Sequence, residues 1–105
     1  MNDRDLLTII KRNPEKGIHK LMNLYGGSIR TICRNFLYDC SENDIEEAIA
    51  DTFINFWKHS DSFQLDEKYS MKSYLYAIAR NTARDKRRLL KKADIFSLEE
   101  LSLDL

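Results

Sequence analysis

A single proline and three glycines in 105 residues leave few places for the tight turns that a β-sandwich or barrel needs. Cysteine is equally sparse. Cys33 and Cys40 are seven residues apart on one expected helix, so their Cα atoms would lie roughly 10 Å apart, too far for a disulfide. There is no Cys-x-x-Cys pair, and His19 and His59 stand alone in the sequence, so neither a metal site nor a cofactor is expected. A glycine-rich phosphate loop, a carboxylate pair in a plausible cleft and a nucleophile with an identifiable base are all missing, which argues against an enzyme. No apolar stretch reaches membrane-spanning length, and the start MNDRDLL lacks the basic and apolar runs of a signal peptide. Membrane insertion is therefore not expected, and the expected location is cytoplasmic. Net charge is absent as well, at 17 basic and 17 acidic groups.

Hydrophobic content of 43% and charged content of 32% fit one helix-rich domain with a single core. The periodicity predicts an all-α fold, a compact bundle of about four helices ending in a long basic helix. Asp3 to Lys11 carries Leu6, Leu7, Ile9 and Ile10 as an apolar side. Asn13 before Pro14 is a good helix start, and Ile18, Leu21, Met22 and Tyr25 follow at helical spacing. Gly26-Gly27 predicts a break or bend, with Ser28 capping a restart through Ile29, Ile32, Cys33, Phe36 and Leu37 to about Asp39. The next helix opens at Ser41-Glu-Asn-Asp, where Asn43 and Glu46 resemble a capping pair. Its expected buried face is Ile45, Ala48, Ile49, Thr52, Phe53 and Phe56. His59 to Ser70 has no helical period and reads as a loop. Ser70 can cap the last helix, whose expected stripe is Met71, Tyr74, Leu75, Ile78 and Thr82. Residues 1–92 form the expected domain. Residues 93–105, acidic and apolar, are expected to be a linker or tail with at most one turn at Ser97 to Leu101.

The neutral total hides a strong asymmetry. Residues 1–79 carry 10 basic and 12 acidic groups, residues 80–92 carry seven and one, and residues 93–105 none and four. Arg80, Arg84, Arg87 and Lys91 step by four, three and four onto one helix face, with Asn81, Arg88 and Lys92 beside them. Aromatic residues precede this stripe (Phe63, Tyr69, Tyr74, Tyr76). Cations for phosphates next to rings for unstacked bases suit a nucleic-acid strand. Charge alone leaves a second reading open, a solvated helix end whose cations complement the helix dipole. On the 44–58 helix, Glu47, Ala50, Asp51, Ile54 and Lys58 share the face opposite the core. Their pattern admits a protein interface or an ordinary solvent face.

The runs NDIEEAIADTFINFWKH and MKSYLYAIARNTARDKRR, separated by a variable loop, resemble region 2 of the extracytoplasmic-function sigma factors of bacterial RNA polymerase. The carriers are the acidic start, the Phe53 and Trp57 pair, Tyr74-Leu75, and Ile78-Ala79-Arg80-Asn81 followed by Asp85 and Arg88. The likeness runs from about Ile18 to Lys92. Two positions depart from the family pattern: Ala50 stands where the family usually has Gln, and Tyr74 where Trp is commoner.

The resemblance implies a sigma region 2 bundle with two working surfaces. Glu47, Ala50, Asp51, Ile54 and Lys58 would dock on the clamp helices of the β′ subunit of the polymerase core. Tyr69, Ser73, Tyr76, Arg80, Asn81, Arg84, Arg87, Arg88 and Lys91 would meet the −10 promoter element as an unpaired non-template strand. Arg80, Arg84, Arg87, Arg88 and Lys91 would hold phosphates, Tyr69, Phe63 and Tyr76 would stack on bases, and Asn81 would read a base edge. An anti-sigma factor is an expected partner. The family's second DNA-binding domain has no counterpart among these residues. The chain is read as the N-terminal half of a longer protein, with a natural single-domain protein as the alternative. Two further readings stay open: a stand-alone sigma-like interaction module that binds anti-sigma factor or polymerase without opening promoters, and a helical nucleic-acid binder unconnected with polymerase.

Overall fold

Asn2 opens the first helix, α1 (Asp3–Arg12), by accepting the Asp5 N–H at 2.8 Å on its side-chain oxygen. Asp3 and Asp5 lie at the positive end of the helix dipole, and Lys11 and Arg12 at the negative end. Asn13 closes α1 and starts α2 (Pro14–Phe36) at once. Its N–H donates to the Ile9 carbonyl at 2.8 Å, and its side-chain oxygen accepts the Lys16 N–H at 3.3 Å. The third and fourth helices are α3 (Glu42–Lys58) and α4 (Met71–Asp104). The structure, a computed structural model, describes residues 2–61 and 70–104, with side chains as far as Leu101. The described residues form an all-α bundle of four helices, as the periodicity predicts.

The central element is α2, which packs against each of the other three, while α4 also packs on α3. Leu6, Ile10, Leu21, Ile29, Cys33, Leu37, Phe56, Met71 and Leu75 are fully enclosed and make one core. At the α1–α2 crossing Gly17 is buried, and a Cβ there would meet the Ile10 Cα at 2.5 Å. The missing side chain is what lets the two helices touch backbone to backbone.

Several local expectations are corrected. Gly26-Gly27 neither breaks nor bends the second helix into two, because α2 is one helix of 23 residues without a positive φ at either glycine. Burial of Leu21 before the pair and Ile29 and Cys33 after it outweighs a cost of about 1 kcal/mol per glycine. α2 ends at Phe36 rather than near Asp39, so Cys40 lies in the turn before α3 and not on the same helix as Cys33. Both thiols are free, with Cys33 buried. Ser41, not Asn43, caps α3, accepting the Asp44 N–H at 3.1 Å. Residues 93–104 hold more than the single turn expected at Ser97 to Leu101. They continue α4, which reaches 34 residues, and no glycine or proline follows Gly27 to stop it.

The start of α4 is held twice. Ser70 Oγ accepts the Ser73 N–H at 3.1 Å, and Asp3 of α1 accepts the Met71 N–H at 3.0 Å. The buried row on α4 is Met71, Leu75, Ala79 and Ala83, one residue per turn. Tyr74, Ile78 and Thr82, expected at its centre, are half-buried along one flank. The two alanines let α4 approach its neighbours where bulkier residues could not.

Candidate nucleic-acid and polymerase interfaces

The basic end of α4 divides by what its cations touch. Arg80, Arg84, Arg88 and Lys91 are exposed. Arg84 also lies over the Phe36 ring of α2, with Cζ 5.9 Å from the ring centre. Arg87 is turned inwards. Its Nη1 donates to the Phe36 carbonyl at 3.1 Å and pairs with Asp39, and its Nη2 reaches the second Asp39 oxygen at 3.1 Å. Its guanidinium lies over the Tyr38 ring, 4.9 Å from the centre. The guanidinium hydrogen bond holds the Asp39 carboxyl below its usual range, and the same bond raises Arg87. So Arg87 ties α4 to the turn between α2 and α3, a task the sequence reading does not give it. The link joins residues 48 positions apart, beyond any local spacing rule.

At the other end of the row, Ser73 is exposed and Tyr76 half-buried. Tyr76 meets Tyr25 of α2 edge-on at 6.4 Å between ring centres, and the Lys72 ammonium lies 5.5 Å over its ring. Burial raises the Tyr25 hydroxyl pKa above its ordinary value. Tyr74 packs against Phe56 at 5.7 Å. Tyr69 and Phe63 lie outside the described residues.

On α3, Glu47, Ala50, Ile54 and Lys58 are exposed and Asp51 is half-buried. An open groove of about 740 Å³ runs between this helix and α4, with Glu47, Asp51, Asn55, Asn81, Asp85 and Leu89 among its walls. Asn81 thus lines the groove beside the acidic side of α3 while remaining exposed next to Arg80. Lys86, which the sequence reading leaves unassigned, spans the groove floor to Glu47 at 3.1 Å, and Asn55 donates to Thr82 at 3.3 Å. These links hold α3 and α4 in fixed register.

Two chemically distinct faces are therefore carried by one packed helix pair, and the comparison with known families agrees in extent. Residues 21–93 match the family model of sigma-70 region 2. The chain belongs to that family, whose members serve bacterial transcription initiation by binding RNA polymerase and recognising the −10 region, without enzymatic chemistry of their own. No curated protein and no solved structure matches the chain. Among the described residues no helix is long and apolar enough to cross a membrane.

Proposed function

We propose that this chain is the region 2 domain of an extracytoplasmic-function sigma factor acting in the cytoplasm. Glu47, Ala50, Asp51, Ile54 and Lys58 dock on the β′ clamp helices. The start and basic face of α4, with residues 60–70 before it, take the −10 element as an unpaired non-template strand. The observation that carries the reading is the fixed register of α3 and α4 through Lys86–Glu47 and Asn55–Thr82. A strand on α4 is then placed relative to the polymerase by the same pair of helices. Arg80, Arg84, Arg88 and Lys91 give affinity through phosphates, with no sequence information. Tyr76, Ser73, Tyr69 and Asn81 are the residues for base contact, since rings stack and an amide both donates and accepts. Arg87 serves chiefly to brace α4, because its guanidinium is already satisfied.

Calorimetric titration of the chain with a purified β′ clamp-helix fragment tests this, with Asp51→Arg as the paired variant. Saturable binding that the variant loses is the expected result. A folded chain that shows no binding sinks the polymerase reading. Exposed Ile95, Phe96 and Leu101 beyond the bundle favour keeping a second reading, an interaction module for an anti-sigma factor or polymerase. That module would bind protein equally well after the Arg80–Lys91 row is neutralised.

A further inference from the structure

The turn between α2 and α3 carries an aromatic ring in an unusual place. Tyr38 is 75% exposed, yet its position is not loose. Arg87 lies over one face of the ring at 4.9 Å and is itself anchored by Asp39 and the Phe36 carbonyl. A cation held against one face, together with that exposure, leaves the opposite face to solvent. Arg84 lies over Phe36 one turn earlier on α4, and Lys91 is exposed one turn later. Rings and guanidinium groups thus alternate along the α2–α4 seam. Asp39 is the acid in this cluster, and Arg87 neutralises it.

We propose that Tyr38 is a second base-stacking site, taking one base of an unpaired DNA strand whose phosphates lie on Arg84 and Lys91. Its partner chemistry is a π face backed by a fixed cation, which stacks on any base and is strengthened by the guanidinium behind it. The site rests on the nucleic-acid reading of α4 but is separate from the −10 contacts at the start of that helix. Tyr76 and Arg87 are eleven residues apart, about 16 Å at helical rise, which a stacked strand covers in roughly five nucleotides. A strand shorter than that cannot engage both ends.

The test is fluorescence anisotropy at low salt with labelled oligo-dT of about 4 and about 16 nucleotides, below and above that span. The variants are Tyr38→Ala, Tyr38→Phe and Arg84→Ala. Tyr38→Ala is expected to weaken binding of the longer strand about fivefold or more, the scale of one stacked base, and that of the shorter one, which can occupy either end, by less. Tyr38→Phe keeps the ring and restores affinity. Circular dichroism of Tyr38→Ala should match the parent, since the ring is mostly in solvent. If Arg84→Ala weakens the longer strand while Tyr38→Ala does not, the stacking site is wrong and the basic face stands. If the parent chain binds neither strand, the nucleic-acid reading and this site fall together.

Discussion

Residues 71–90 and residues 91–104 lie on one unbroken helix, but they are held in different ways. The first segment buries Met71, Leu75, Ala79 and Ala83 and is tied to its neighbours through Asp3, Glu47, Asn55 and Asp39. From Lys91 to Leu101 every side chain is exposed, Ile95, Phe96 and Leu101 among them. The molecule is accordingly 60 Å long and only 24 by 23 Å across. Helical backbone is therefore not a sign of membership of the core. The packed segment is helical because tertiary contacts hold it. The projecting segment contains no breaker and inherits its first turns from a helix already formed, which removes the cost of nucleation.

Cutting one leucine from each segment separates the two most sharply. Leu75 is fully enclosed, so Leu75→Ala is expected to cost about 2–5 kcal/mol from lost burial and the cavity left behind. Leu101 is 62% exposed, and Leu101→Ala should stay within about 0.5 kcal/mol of the parent. Urea unfolding of the two variants measures both. Equal losses would mean that the projecting end is packed on something and that the division between the segments is false.

The same division explains how much could be read from sequence. Large apolar residues at helical spacing announce α1 to α3 and the start of α4, because burying such side chains dominates the energetics. Ala79 and Ala83 are harder to see, since a methyl group contributes little to any hydrophobic pattern although both are fully buried. Gly26-Gly27 misleads in the opposite direction. Local propensity favours a break, but the packing of Leu21, Ile29 and Cys33 decides. The tail misleads because its helix has no core to face, so its exposed Ile95, Phe96, Leu98 and Leu101 give no buried stripe to read. Of the candidate site, the exposed cations and the acidic face of α3 follow from spacing alone. The engagement of Arg87 with Asp39 and Tyr38 does not, because the fold, not the sequence, brings those residues together.

The Arg87–Asp39 pair offers a smaller and pH-dependent test of what braces the packed segment. The native Asp39 carboxyl is held below its ordinary value, first by the Arg87 hydrogen bond. Its contribution is thus fully present above the unfolded carboxylate pKa of about 3.9 and is lost as pH falls through the lower native value. Asp39→Asn removes the charge. Its melting temperature should lie below the parent's at neutral pH and converge with it as the pH drops below about 4. Glu46 is lowered in the same way by Arg30, so some acid sensitivity remains in the variant. A constant gap at every pH would show that the charge of Asp39 has no part in bracing α4.

The smallest global effect is expected at the boundary itself. Ala93 is exposed and lies just past the packed segment. Glycine there costs about 1 kcal/mol of helix propensity, and the projecting turns have no burial to offset it. Ala93→Gly should therefore fray residues 93–104, seen as reduced helical circular dichroism and faster amide exchange in those residues alone, while the melting temperature of the bundle stays put. Ala83→Gly applies the same change of side chain to a fully buried site. There the lost methyl adds to the lost propensity, and cooperative unfolding carries the damage to the whole domain, so the melting temperature should fall. Should Ala93→Gly lower it as far as Ala83→Gly does, α4 is a single cooperative unit, and its projecting end contributes to the stability of the bundle without touching it.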